Sequence, residues 1–275
     1  ERNITAGIQI LPYRWEPKEV VIGEALAWRM LDLDADMVIP LKFPAYFVRH
    51  PRKVPWLQHQ FRQIYDFFGT PFSGFSNSLP DGELREKLVA MDATALAESV
   101  HIYTNSNNTL NRLRRYNGLD GSVLHIPPFI TMPSNKPQYG DFILAVGRLE
   151  EVKRFDLLFR AVAAAKSSVH VKIVGTGGQL EALQYLAAEL GVSDRVEFLG
   201  FVPDAELAEL YGNCRAVHFA PKDEDFGLVA VEAMMAAKPV ITASDSGGPL
   251  EFVQDGENGL VADASPEAQA MALDK

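Results

Sequence analysis

From Asp141 onward the apolar residues follow two alternating patterns: short runs of β-branched and aromatic side chains, and longer stretches in which apolar positions recur every three or four residues. The first pattern reads as buried strands and the second as amphipathic helices. Strands are predicted at Phe142–Val146, Val169–Val174, Val196–Leu199, Ala216–Ala220 and Val240–Ala243. Phe155, Leu158, Phe159 and Val162 are spaced for one helix, and Leu180, Leu183, Ala187 and Leu190 for another. Asp204 is placed to cap a third helix that buries Leu207, Leu210 and Tyr211. A fourth runs from Leu228 to Ala237 and is stopped by Pro239. Continuous apolar strands alternating with helices predict a parallel, doubly wound α/β sheet.

Before Asp141 the pattern is less regular. Met37–Leu41, Val54–His59, Val100–Thr104 and Ser122–Ile126 read as strands, and Gly82–Glu98 as an amphipathic helix, so a second α/β unit is expected. Phe61 to Pro80 is an aromatic-rich stretch punctuated by Gly69, Pro71 and Gly74, the pattern of a long loop. Ile126 to Pro137 holds four prolines in twelve residues, which extends and stiffens the chain as a linker does. The expected organisation is therefore a first domain over 1–130, a linker over 131–140 and a second domain over 141–275. The 275 residues suit two such domains.

Charge separates the two halves. Residues 1–140 carry 15 Lys+Arg and 14 Asp+Glu, whereas residues 141–275 carry 11 and 22. So acidic a second half repels nucleic acid, and a phosphate ligand there needs a local site. The single cysteine, Cys214, excludes a disulfide framework within one chain, and no apolar run is long enough to span a bilayer. With no leader-like segment at Glu1, a cytoplasmic location is expected.

Two segments carry candidate chemistry. The strand Phe142–Val146 runs into Gly147-Arg148-Leu149-Glu150-Glu151-Val152-Lys153-Arg154. Ligands of open parallel sheets bind at the carboxyl ends of strands, so Arg148 and Lys153 are candidates for a diphosphate; pairing with Glu150 and Glu151 as surface cations fits the spacing equally. The second segment is Pro221-Lys-Asp-Glu224-Asp-Phe226-Gly227-Leu228-Val229-Ala-Val-Glu232. Here a strand gives way to a helix whose leading amides favour an anion, and Glu224 and Glu232 can address one ligand from different heights. An acidic cluster at a helix N-terminus accounts for Asp223, Glu224 and Asp225, but not for Glu232 among Val231, Ala233 and Met234. Val174-Gly175-Thr-Gly177-Gly178, with Glu197 about twenty residues on, imitates a dinucleotide fingerprint, although Leu180 stands where its third glycine belongs. Asp32-Leu-Asp34-Ala-Asp36 reads as a solvated helix end or turn, and no catalytic metal is expected.

These residues resemble the family-4 retaining glycosyltransferases of GT-B architecture, the glycosyl transferases group 1, in their bacterial mannosyltransferase-like members. The resemblance is carried by Gly147-Arg148 with Lys153, Glu224 and Glu232 seven residues apart, Lys238-Pro239-Val240-Ile241, Gly247-Gly248-Pro-Leu-Glu251 and Asp255-Gly-Glu-Asn-Gly259-Leu-Val. In the first half it is carried by Leu41-Lys-Phe-Pro-Ala45, Trp56-Leu-Gln-His59-Gln-Phe-Arg62 with Tyr65-Asp66, and Asn105-Ser106 followed by Arg112-Leu-Arg-Arg-Tyr-Asn-Gly118.

The resemblance implies two Rossmann-like domains facing a cleft and transfer of a hexose, mannose from GDP-mannose first, to a glycan or lipid-linked acceptor in polysaccharide synthesis. It implies that Arg148 and Lys153 hold the donor diphosphate, and that Glu224 and the Gly227–Val229 amides, with Phe226 beside them, meet the sugar and distal phosphate. Glu232 is implied at the ribose, Phe201 and Val202 at the base, and Gly147 and Gly175 in the loops around the nucleotide. Retention of configuration is implied without a metal or other cofactor, by front-face attack with the leaving phosphate taking the acceptor's proton. His59 is a candidate contact to acceptor or donor sugar, and Arg112, Arg114 and Arg115 are candidates for peripheral contact with the inner face of a membrane. Members of the family are longer at both ends, so the resemblance also implies a first domain lacking its opening strand and glycine-rich loop. A nicotinamide-dependent oxidoreductase and a non-catalytic nucleotide-sugar-binding fragment or subunit stand as the alternatives.

Overall fold

The computed structural model describes residues 4–132 and 138–275. It divides into two compact units: Glu1–Asn105 with Thr109–Leu124, and Ser106–Asn108 with His125–Lys275. The division after Leu124 falls ahead of the expected linker. Ile130 and Met132 pack in the core of the second unit, and Gln138 and Gly140 donate their backbone N–H groups to the carbonyls of Gly212 and Asn213 (3.2 and 2.9 Å). Both ends of the expected linker therefore belong to the second unit; its residues 133–137 lie outside the described residues.

The first unit contains α1 (Val21–Arg29), β1 (Trp56–Leu57), α2 (Leu79–Ala97), β2 (Tyr103–Thr104), most of α3 (Asn107–Arg112) with a π-helical turn after it, and β3 (Ser122–Val123). The three strands form a parallel sheet in the order β1-β2-β3. Each is shorter than its apolar pattern predicts, and Met37–Leu41 makes only an isolated bridge, Val38 to Lys53, with a second from Lys42 to His59. Hydrogen bonds still link these segments: Val54, Trp56 and Gln58 donate to the carbonyls of Val38, Pro40 and Leu41. Pro40 has no N–H to return across this ladder, and Pro55, whose carbonyl accepts from Tyr103 N–H, has none for the ladder to β2, so both are interrupted. His59 consequently lies past the end of β1, half-buried, with its carbonyl accepting from Phe43 N–H (3.3 Å).

The core of this unit gathers Phe43, Tyr46, Phe47, Phe61 and Ile64 around α1 and α2. Within it lies Asp92, fully buried on α2. The hydroxyls of Tyr46 and Tyr65 donate to its Oδ2 (2.7 and 2.6 Å), while its Oδ1 has no hydrogen-bond partner among the described residues. Arg112, expected on an exposed basic face, is instead buried and ion-paired with Asp66, so it is not available to a membrane. Arg114 pairs with Asp120 (2.8 Å), and Arg115 lies over the ring of Tyr116. Asp32, Asp34 and Asp36 are exposed in an irregular segment.

The second unit follows its pattern closely. β4 (Phe142–Val146), β5 (His170–Val174), β6 (Val196–Gly200), β7 (Ala216–His218), β8 (Val240–Ala243) and β9 (Gly259–Ala262) form one parallel sheet in the order β6-β5-β4-β7-β8-β9. The connecting helices are α4 (Phe155–Ala164), α5 (Leu180–Glu189), α6 (Asp204–Asn213), α7 (Leu228–Met235) and α8 (Pro266–Leu273). Alternate residues of β4 serve opposite faces: Ile143 and Ala145 pack with α4, α5 and α8, and Phe142 and Leu144 with α6 and α7. With both faces covered, a strand must be apolar throughout, which is why the run reads without alternation.

Asp204 does not cap α6; it is the first helical residue and Pro203 holds the cap position. β9 and α8 were not anticipated. The start of α8 had a local signal, because Ser265 accepts from Ala268 N–H (3.2 Å) as N-cap with Pro266 following. No helix among the described residues is long and apolar enough to cross a membrane.

Candidate functional site

In the second sheet the chain builds outward from β4 through β5 to β6, then returns to lay β7, β8 and β9 on the other side. The direction of winding reverses between β4 and β7. Loops leaving the carboxyl ends of those two strands diverge to opposite faces and leave a crevice, the usual ligand site of a doubly wound sheet. The two segments singled out above are these two loops.

After β4 come Gly147 and Arg148, then a 3₁₀ turn over Glu151–Lys153. After β7 come Phe219 to Glu224 and the start of α7. The Lys153 ammonium donates to Glu224 Oε2 at 2.6 Å and lies 5.6 Å from the centre of the Phe219 ring, with both charged side chains largely shielded from solvent. Glu224 is fixed by its backbone: its N–H donates to Ser246 (2.8 Å) and its carbonyl accepts from Gly248 N–H (2.7 Å). Asn108, one of the three residues 106–108 that belong to this unit, adds a bond from Nδ2 to the same carbonyl (2.9 Å). Arg148 differs. Its side chain is exposed and donates to Glu150 at 2.6 Å, the surface pairing foreseen from the sequence, whereas Lys153 bypasses Glu151 in favour of Glu224.

α7 begins at Leu228 behind Gly227, which adopts φ 91° and supplies no capping side chain. A β-carbon at Gly227 would fall 2.6 Å from Pro249 Cγ. The N-cap residue therefore offers no side chain to the leading amides of α7, including those of Leu228 and Val229, which carry the positive end of the helix dipole. Glu232, one turn into α7, accepts from the Tyr211 hydroxyl at 2.8 Å. Burial raises the Glu232 carboxyl above its ordinary pKa, against the opposing effect of that hydrogen bond.

Gly175 has a packing task. A β-carbon there would lie 1.9 Å from the Gly147 carbonyl oxygen, so the β5 loop can approach the β4 loop only as glycine. Phe201 is exposed and free to receive a planar group, but the Val202 side chain is buried in the core. Phe226 is likewise buried, edge-on to Phe252 at 5.2 Å, so these two of the expected ligand contacts can offer only backbone. Glu197 is the second residue of β6 and pairs with Lys172 (3.5 Å), far from the strand end where a dinucleotide fingerprint needs its acid. His59 belongs to the first unit and is not among the residues assembled here.

Arg154, Asp245 and Tyr211 had no place in the expected site. Arg154 could have been suspected from a charge opening an otherwise apolar helix. Among the described residues no group of three or more His, Cys, Asp or Glu is arranged to hold a metal ion.

A doubly wound sheet with a part-buried Lys–Glu pair and a glycine-led helix N-terminus at its switch point has the elements that phosphate-bearing ligands use. Residues 129–275 match the family Glycosyl transferases group 1, more than half of the chain, and the protein belongs to that family. It is 41 % identical over 149 residues to the D-inositol 3-phosphate glycosyltransferase of Frankia alni, a stretch covering 50 % of this chain and 36 % of that protein. It is 37 % identical over 136 residues to an uncharacterized glycosyltransferase of Methanocaldococcus jannaschii, covering 48 % and 35 %. The chain thus matches about a third of the length of these relatives.

Among solved structures, sucrose-phosphate synthase of Thermosynechococcus elongatus superposes with a TM-score of 0.71 at 19 % identity, covering 94 % of this chain and 69 % of that one. HepE of Anabaena, solved with UDP and glucose, gives 0.62 at 22 %, covering 84 % and 63 %. The fold is that of the GT-B glycosyltransferases, with parallel α/β sheets in both units.

Proposed function

We propose that the protein is a retaining glycosyltransferase that moves a hexose from a nucleotide sugar to a glycan or lipid-linked acceptor, with the second unit holding the donor. The observation that carries this reading is the Lys153–Glu224 pair at the switch point, beside the glycine-led start of α7. An ammonium has three donors, so Lys153 can keep Glu224 in place and still donate to a diphosphate oxygen. Arg148, exposed and paired with Glu150, can turn to the same phosphates, and the α7 amides donate to the distal one. Glu224 receives hydroxyl hydrogens of the sugar, and Glu232, oriented by Tyr211, receives those of the ribose. Phe201 offers a face to the base.

Breaking the bond between the sugar and the diphosphate places negative charge on the departing phosphate. Lys153 and the helix N-terminus stand where that charge appears, and Arg148 joins them once it turns from Glu150, so the barrier falls without a metal. The acceptor oxygen bonds to the anomeric carbon on the face the phosphate leaves, which preserves the anomeric configuration, and the leaving phosphate takes the acceptor's proton. Within this class we assign mannose on GDP as donor. His59 is assigned to the sugar or acceptor, and the protein to the cytoplasmic side of the membrane.

Calorimetric titration with GDP, UDP, their hexose conjugates and NAD tests the reading. Nucleoside diphosphate binding is expected, and Lys153→Ala should weaken it roughly 10- to 100-fold, the 1.5–3 kcal/mol of a charge-assisted hydrogen bond. Tight NAD binding with no binding of either diphosphate would sink the proposal, and preference for UDP conjugates would overturn the GDP-mannose assignment alone.

A further inference from the structure

Arg154 directly follows Lys153 and sits in a left-handed backbone conformation, φ 53° and ψ 43°, which a residue with a β-carbon disfavours. Its side chain explains why an arginine stands there. Nε donates to the carbonyl of Ala220 (2.8 Å) and Nη2 to that of Pro221 (2.7 Å), two acceptors beyond the last residue of β7. The same guanidinium forks onto Asp245, Nη1 to Oδ2 at 3.0 Å and Nη2 to Oδ1 at 2.6 Å. Asp245 lies in the turn after β8, and this turn holds the backbone that carries Glu224: Asp223 N–H donates to the Asp245 carbonyl (3.0 Å) and Glu224 N–H to that of Ser246 (2.8 Å). Lys222 adds a second cation to Asp245 at 2.8 Å. Burial alone raises the Asp245 carboxyl, but the hydrogen bonds from Arg154 and Lys222 outweigh it and hold the group below its ordinary range.

We propose that Arg154 is the positioning residue of this site: it ties the loop after β7 and the turn after β8 to the residue next to Lys153, and so keeps Glu224 opposite the lysine. Only a planar fork can reach two successive carbonyls and both oxygens of a carboxylate from one position. Arg154 touches neither Lys153 nor Glu224 through its side chain in this arrangement; it acts through the backbone that presents the glutamate. What the pair does for a donor rests on the functional reading above, whereas the tie itself does not.

The experiment compares wild type with Arg154→Gly, which relieves the backbone and removes the tie, with Arg154→Lys, and with Asp245→Asn, which weakens the fork and leaves residue 154 untouched. Hydrogen exchange is followed in peptides covering 220–226, together with calorimetric binding of GDP and UDP and the kcat and KM of donor turnover. Arg154→Gly is expected to speed exchange at the Asp223 and Glu224 amides about tenfold or more while α7 stays protected. With the glutamate displaced, kcat should fall roughly 10- to 100-fold, and Arg154→Lys should restore only part of the loss. If Arg154→Gly folds poorly, Asp245→Asn carries the same exchange test. Unchanged protection of 220–226 in Arg154→Gly or Asp245→Asn overturns the tie. Looser exchange with undiminished kcat and diphosphate affinity overturns its role at the site. A wild-type chain that binds neither GDP nor UDP refutes the functional reading, and exchange alone then decides for or against the tie.

Discussion

Asp92 offers a prediction that the first unit can answer by itself. Its carboxyl is fully buried on α2 and accepts two tyrosine hydroxyls on Oδ2, while Oδ1 has no hydrogen-bond partner among the described residues. Burial lifts its pKa from 3.8 to about 7, although the Tyr65 and Tyr46 hydrogen bonds pull the other way. A carboxyl whose folded pKa is raised is protonated in the folded chain at a pH where the unfolded chain has already lost the proton. Its stabilisation is therefore fully present below about pH 4 and is lost as pH rises through about 7. At about 1.4 kcal/mol per pH unit, the loss between pH 5 and pH 8 comes to roughly 3 kcal/mol.

Asp92→Asn keeps an acceptor for both hydroxyls and cannot ionise, so it should abolish this dependence and be the more stable protein at pH 8. The three tryptophans, Trp15, Trp28 and Trp56, all lie in the first unit, so tryptophan fluorescence during urea unfolding reports that unit selectively. Curves at pH 5, 6, 7 and 8 for both proteins isolate Asp92, because every other titration is common to the two. An identical pH slope in wild type and Asp92→Asn would refute the reasoning.

Two further outcomes are expected in the second unit. Gly175→Ala sets a β-carbon 1.9 Å from the Gly147 carbonyl oxygen, a backbone atom that cannot yield locally, and should destabilise the unit by about 3 kcal/mol or force the β4 loop to move; calorimetric unfolding measures it, and an unchanged transition would show that the loops are not held together. Tyr211→Phe removes the hydrogen bond that counteracts burial at Glu232, so the Glu232 pKa should rise further. If Glu232 serves the ribose, diphosphate binding should weaken by about 1 kcal/mol, and the acid limb of its pH profile should move to higher pH, which titrations between pH 4 and 8 would detect.

How far the sequence alone reached is clear from particular residues. The run Phe142–Val146 forms the strand its pattern predicts, residue for residue, because a strand covered on both faces must be apolar at every position. Glu224, Gly227 and Glu232 were legible for a similar reason, since a strand end, a glycine turn and a helix start are all local events. The first unit was less legible: Pro40 and Pro55 remove ladder donors, so apolar runs that look like full strands pair only at isolated points.

Tertiary structure alone decided which charges meet. Lys153 lies two residues from Glu151 in the chain, yet it pairs with Glu224, 71 positions away, because β4 and β7 are neighbours in the sheet and their loops end side by side. Arg154 was invisible for the same reason, as its four acceptors come from the segments after β7 and β8. Side-chain periodicity sets the type of each element within a few residues, but strand order is settled by packing the whole sheet, and a site at the switch point exists only once that order is set.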